Sequence, residues 1–160
     1  MTNDDASVPI IYIDANPFIY LIDGEEEAAR RVRPFFALLT QRPGVATTSE
    51  LTLAEVLPKA RPDARRAYFN LLIWSRTFLL QPVTRDILID TADYRRVSQK
   101  TLPDGKTTTV KLPDAIHVVT ATRSRCRMFL SSDESLKVDV GMEILRPNEA
   151  SLSKLARALA

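Results

Sequence analysis

The chain has 160 residues, 45% of them hydrophobic and 26% charged, which describes an ordinary globular domain and excludes a disordered one. Lysine and arginine total 22 against 20 acidic residues, so the formal charge of +2 creates no strong basic field. A single cysteine, Cys126, excludes an internal disulfide framework and any cysteine-based zinc cluster; a single histidine, His117, excludes HExxH and multi-histidine zinc sites. A Ser-His-Asp triad would have to use His117 as its base. The segment from Met1 to Val8 lacks the basic and apolar regions of a signal peptide, and no apolar run approaches the roughly 20 residues that span a bilayer. The expectation is a cytoplasmic protein with no membrane association, with residues 1–8 as a flexible N-terminus and 9–160 as one domain.

Ile10 to Ile13 is a continuous apolar run and predicts a strand covered on both faces. Asn16-Pro17 reads as an N-cap followed by the first helical residue. A helix from Glu25 to Thr40 follows, acidic at its start, with Pro34 predicting a kink or break. Val45 to Thr48 is a second strand, and Thr48 or Ser49 can cap a helix carrying Leu51, Leu53, Ala54, Val56 and Leu57. Pro62 to about Arg76 predicts a helix whose apolar band includes Tyr68, Leu72 and Trp74. Phe78 to Leu80 is a third strand, and Arg85 to Gln99 a helix with Ile87, Leu88, Thr91, Tyr94 and Val97 on one side.

Residues 100–111 interrupt this alternation with a Pro103-Asp104-Gly105 turn between strand-like flanks, which predicts a small hairpin or arm. Helix signals resume at Pro113; Met128 to Leu130 and Met142 to Leu145 are further strands, and Asn148 caps a terminal helix. Short apolar strands alternating with helices imply right-handed crossovers and a mainly parallel α/β sheet.

Ligands of open parallel sheets bind beyond the carboxyl ends of the strands, near a change of strand order. Asp14 follows the first strand, Glu55 lies in the helix after the second, Asp114 opens the helix after the hairpin, and Asp133 follows MFLSS. Asp114 has a plainer reading as a helix-dipole or capping residue. Asp14 and Asp133, flanked by core strands, lack easy solvation, and Glu55 stands between Ala54 and Val56 on an otherwise apolar helix. Glu50 reads as an exposed acid at a helix start, Ser131 and Ser132 as loop hydroxyls, and His117, among Ile116, Val118 and Val119, as a packed helix residue with no chemical role. If the four acids converge they require a cation, and hard oxygen donors select Mg²⁺ or Mn²⁺. Such a site suits phosphodiester hydrolysis without a covalent intermediate.

Four segments, IYIDANPFIYLIDG (residues 11–24), TTSELTLAEVLPKA (47–60), KLPDAIHVVTA (111–121) and FLSSDESL (129–136), occur in an order and spacing that resemble the PIN-domain family, in particular its VapC-like ribonuclease toxins. The resemblance covers about residues 8–147. It implies a three-layer α/β/α sandwich around a mainly parallel sheet, with 9–160 as a single PIN-like domain and the stretch at 100–111 as an insert. It also implies Mg²⁺- or Mn²⁺-dependent RNA cleavage, with Asp14, Glu55, Asp114 and Asp133 as the catalytic acids and Asp14, Asp114 and Asp133 closest to the metal. Asn16, Ser131 and Ser132 would support them, although Ser132 stands where asparagine is commoner in the family. An RNA substrate, a cognate antitoxin protein and a homodimer are the partners it implies.

Two other classes compete with this reading. A receiver-like signalling domain needs an acidic pair after the first strand, which Asp14 lacks. A non-toxin PIN nuclease, or a non-catalytic RNA-binding relative, would carry the same acids.

Overall fold

The computed structural model describes residues 9–138 and 141–160; the expectation of a flexible segment at 1–8 lies outside the described residues. Five short strands, β1 (Ile11–Ile13), β2 (Ala46–Ser49), β3 (Phe78–Gln81), β6 (Met128–Leu130) and β7 (Glu143–Leu145), form one sheet in the order β3-β2-β1-β6-β7. All four pairings are parallel. A separate two-stranded antiparallel hairpin, β4 (Lys100–Thr101) with β5 (Thr107–Thr108), stands where the insert was expected. The helices are α1 (Ala15–Ile22), α2 (Glu26–Thr40), α3 (Leu51–Val56), α4 (Ala64–Phe69), α5 (Arg85–Val97), α6 (Leu112–Arg123) and α7 (Glu149–Leu159).

Strand alternation assigns the two faces of the sheet. Ile11 and Ile13 of β1, with Met128 and Leu130 of β6, enter a core shared with Phe18, Phe35, Leu39, Tyr68 and Leu155 from α1, α2, α4 and α7. Tyr12 and Phe129, from the same two strands, point the other way and pack with Val118 and Ala121 of α6. Helices α5 and α6 cover that face, with Ile87, Ile116 and Val119 between them. The result is the three-layer α/β/α sandwich.

Local departures from the sequence reading have identifiable causes. The N-cap of α1 is Asp14, in extended conformation, with Oδ1 accepting from the Ala15 amide at 2.8 Å. Asn16-Pro17 therefore falls inside the first turn, where proline's missing amide still costs nothing. Helix α2 runs through Pro34 without a break. Pro34 is exposed, so water can serve the carbonyl it leaves unpaired, while buried Val32, Phe35, Phe36 and Leu39 hold the helix to the core. After α4 the chain passes into a π-helical turn, Asn70–Trp74. This rotates Trp74 out of the expected apolar band and leaves it 60% exposed. On α5, Ile87 and Thr91 are buried as expected, but Leu88 and Val97 face outward.

Candidate active site

β1 lies at the centre of the sheet because the chain adds β2 and β3 on one side and then returns to add β6 and β7 on the other. The change of direction sits between β1 and β6, and the residues leaving these two strands face each other at their carboxyl ends. The Asp14 amide donates to the Leu130 carbonyl at 3.0 Å, which fixes the two strand exits together.

Asp14 is 7% exposed, and its oxygens are held from two directions. Oδ1 accepts from the Ala15 amide, and Oδ2 accepts from the Ser131 hydroxyl at 2.9 Å. The same Ser131 oxygen accepts from the Asp133 amide at 3.0 Å. One buried serine thus links the carboxylate after β1 to the backbone of the acid after β6. Arg146, beyond β7, donates through Nη1 to the carbonyls of Ser131 at 3.1 Å and Asp133 at 2.5 Å, bracing the loop that carries them.

Asp114 enters from the first turn of α6. Its carboxyl is raised above its ordinary value, first by burial and then by the negative charges of Asp14 and Asp133; His117 and Lys111 oppose the shift. Three acids from three separate elements therefore share one electrostatic neighbourhood. Asp133 is displaced the other way, lowered chiefly by hydrogen bonding from Ser135, whose hydroxyl donates to its Oδ1 at 2.7 Å and whose amide donates at 2.9 Å. Within one cluster, Asp114 is thus the acid that resists ionisation and Asp133 the one that favours it.

Glu55 reaches the site through His117. This histidine is 1% exposed and has both ring nitrogens engaged. Nε2 lies 2.5 Å from Glu55 Oε2 and 3.8 Å from Asp14 Oδ1, and Nδ1 lies 2.6 Å from the Tyr12 hydroxyl. An ionised carboxylate only accepts, so Nε2 donates to Glu55. In the singly protonated ring, Nδ1 is then the acceptor for Tyr12. Burial, and secondarily the charge of Asp14, push the Tyr12 phenol well above its ordinary range and keep it a donor. His117 is a packed helix residue, as its sequence context suggests, and it also holds Glu55 in place. Thr48 adds a further brace by donating to the Ile13 carbonyl at 2.7 Å.

The remaining candidates take other positions. Asn16 lies half-buried in the first turn of α1, and among the described residues no hydrogen bond joins it to Asp14, whose partners are Ala15 and Ser131. Ser132 lines a different cavity, of about 430 Å³, with Tyr20, Arg31 and Arg146. Glu50 is exposed at the start of α3, where the Leu51 amide donates to Ser49 Oγ instead. The support roles of Tyr12, His117 and Arg146 had no signal in the sequence beyond residue type: His117 stands 105 positions from Tyr12 and 62 from Glu55.

Among the described residues, no group of three or more His, Cys, Asp or Glu side chains is placed to hold a metal ion by itself. The donors present are nonetheless specific in kind. They are carboxylate oxygens from Asp14, Asp114 and Asp133, while His117 has both nitrogens committed and the Cys126 thiol is pushed up to about 12 by burial. This set does not suit Zn²⁺ and fits a hard divalent ion that keeps several waters and uses one or two carboxylates.

Comparison with solved structures finds the same architecture in several proteins. A chain of a toxin–antitoxin complex from Klebsiella pneumoniae is 23% identical, with a TM-score of 0.59 over 87% of this chain and 98% of that one. A chain of DNA-bound VapBC from Salmonella typhimurium is 19% identical, with a TM-score of 0.60 over 88% and 99%. A chain of VapBC2 from Rickettsia felis, bound to a DNA fragment from its promoter, is 13% identical, with a TM-score of 0.59 over 86% and 98%. Comparison with curated protein sequences gives no significant match. The PIN domain family matches residues 11–139, a span that begins at β1 and takes in all four candidate acids. The chain belongs to the PIN domain family, a family of nucleases, and the receiver-like alternative falls away.

Proposed function

We propose that this protein is a Mg²⁺- or Mn²⁺-dependent endoribonuclease and the toxin of a toxin–antitoxin pair. The observation that carries the reading is the mutual charge of Asp14, Asp114 and Asp133 at the switch point of a PIN sheet. Clustered acids of this kind call for a cation, and a phosphodiester substrate supplies the anion that such a cation would meet. Asp14, Asp114 and Asp133 would hold the metal, with Glu55 completing the acidic wall. When bound, a divalent ion supplies charge neutralisation for the phosphodiester and lowers the pKa of a coordinated water.

The chain's own residues position this chemistry. Ser131 orients the Asp14 carboxylate and the Asp133 backbone together, and Ser135 keeps Asp133 ionised. His117 holds Glu55 toward Asp14, and Arg146 braces the Asp133 loop. The net reaction adds water across one P–O ester bond of RNA. The toxin assignment is supported by the fold shared with chains of toxin–antitoxin complexes, whose whole length this chain nearly covers. A protein antitoxin and a second copy of the chain are the partners this reading carries. No helix among the described residues is long and apolar enough to cross a membrane, and we assign the protein to the cytoplasm on the same reading.

The test is RNA cleavage by purified protein with Mg²⁺ or Mn²⁺ against chelator. Wild type should cleave only with metal, and Asp14→Asn and Asp114→Asn should each lose at least a hundredfold while keeping the wild-type circular dichroism. Cleavage by Asp114→Asn at the wild-type rate would remove that acid from the site, and metal-independent cleavage by wild type would reject the mechanism.

A further inference from the structure

A cavity of about 470 Å³ opens beside the acids, and its lining includes Asp114, Asp133 and Ser135 together with Lys100, Lys111 and Lys137. The lysines arrive from three places: Lys100 from β4 of the hairpin, Lys111 from the residue before α6, and Lys137 from the loop after β6. The wall that carries them is tied down. Arg95 Nε donates to the Val110 carbonyl at 2.9 Å, and Thr109 Oγ1 donates to the Arg95 carbonyl at 2.9 Å, anchoring the return of the hairpin to α5. The Tyr94 hydroxyl donates to the Lys137 carbonyl at 3.2 Å. The hairpin is therefore the outer wall of a cleft that leads to Asp114 and Asp133.

Lys111 acts electrostatically on Asp114 and Asp133, while Lys100 and Lys137 lie further out along the same cleft wall. Among the described residues none of the three lysines forms an ion pair, whereas Lys106 at the hairpin tip pairs with Asp104. Lys100 and Lys137 are side by side, and the Lys137 ammonium pushes the Lys100 ammonium below its ordinary value. These two neighbouring cations on the cleft wall repel each other. Phosphates of a bound strand relieve the repulsion between the lysines, whereas the acids beside them call for a cation. A basic groove that tracks the backbone beside an aromatic wall, here Tyr94, is the general form of single-strand recognition.

We propose that Lys100, Lys111 and Lys137 form a backbone-phosphate subsite for single-stranded RNA, with the β4–β5 hairpin as its outer wall. The inference rests on the nuclease reading above for the identity of the strand, and on the cleft itself for the contacts. It assigns the insert a purpose: the hairpin extends the substrate surface beyond the acids.

The experiment measures binding of a fluorescein-labelled single-stranded oligoribonucleotide by anisotropy, in chelator so that no cleavage occurs, from about 50 to 300 mM KCl. Lys111 is left unaltered because its charge also acts on Asp114. For single strands the slope of log K against log salt is about −0.7 per phosphate contact, so Lys100→Ala/Lys137→Ala should flatten it by about 1.4. Affinity at the lowest salt should fall about tenfold or more. Lys154→Ala/Arg157→Ala, which removes the same charge from exposed positions on α7, should keep the wild-type slope. A Lys100→Ala/Lys137→Ala protein indistinguishable from wild type or from this control overturns the subsite, as it would if the cleft received an acidic protein segment instead. Cleavage of the same RNA in Mg²⁺ is scored separately. Active wild type with an unchanged slope in the lysine variant rejects the subsite alone, whereas inactive wild type rejects the nuclease reading and leaves the subsite to stand or fall on the slope.

Discussion

Ser131 and His117 each hold one acid, and they do so with different tolerance to change. Ser131 links Asp14 to the Asp133 backbone, whereas His117 joins the buried Tyr12 hydroxyl to the half-buried Glu55 carboxylate. His117→Ala would remove a hydrogen-bond partner from the buried Tyr12 hydroxyl and free Glu55 to move. The cost of a buried polar group left without its partner is about 1–3 kcal/mol. Urea unfolding should record a loss of that size, accompanied by slower metal-dependent cleavage. His117→Gln, which can still donate to Glu55, should recover part of the rate. If His117 were instead the base of a triad hydrolase, His117→Gln would be as inactive as His117→Ala, and activity would not need metal.

The elements differ in how much local sequence determined them. Gly24 joins α1 to α2, and a Cβ there would meet the Tyr20 carbonyl oxygen at 2.5 Å and its Cα at 2.7 Å. Backbone cannot swing aside as a side-chain tip can, so Gly24→Ala should destabilise by about 1–3 kcal/mol in denaturant titration. Asn148 caps α7 by accepting from the Ser151 amide at 2.9 Å, and Asn148→Ala should cost about 1 kcal/mol by the same measurement. That cap was legible because Asn followed by an amphipathic run is a local signal. The strands were legible for a related reason: residues buried on both faces, such as Ile11, Tyr12 and Ile13, must all be apolar or satisfied. The cap of α1 was misread because Asn16-Pro17 is the stronger local pattern and only the pairing of β1 with β6 turns Asp14 back onto its own helix. The π-helical turn and the exposure of Trp74 depend on how α4 meets β3, which no window of sequence contains. Of the candidate site, Asp14 and Asp133 were legible as residues leaving strands and Glu55 and Asp114 as helix acids, while the braces Tyr12, His117 and Arg146 act across distances that periodicity does not report.

For the molecule as a whole, the acidic cluster is a load on stability that a cation should remove. Because the folded pKa of Asp114 is raised, the folded state holds that proton more tightly than the unfolded chain does. Its unfavourable contribution is absent at low pH, grows as pH rises above the ordinary aspartate value of 3.8, and is complete above the folded value. Asp133 runs oppositely: its lowered pKa stabilises above the ordinary value, and that contribution is lost as pH falls through the folded one. Asp114→Asn should therefore melt higher than wild type in chelator at pH 7, with the gap closing as pH is lowered toward 4. A divalent ion at about ten times its Kd should add about 1.4 kcal/mol to wild type, a rise of about 3–6 °C for a domain of this size. The rise should shrink in Asp114→Asn. Equal metal shifts in the two proteins would show that Asp114 takes no part in holding the ion.

The hydrogen bond from Ser131 to Asp14 spans 117 positions, and the central strand has no partner on that side until β6 exists. At translation rates of roughly 5–20 residues per second, about 6–23 s separate the synthesis of the two residues. Throughout that interval the emerging chain can stack β1, β2 and β3 with their helices, but Asp114 and Asp133 have no place to meet Asp14. On the proposed nuclease reading, a chain with this connectivity should gain its activity only after β6 is made, and fragments ending before Met128 should cleave no RNA.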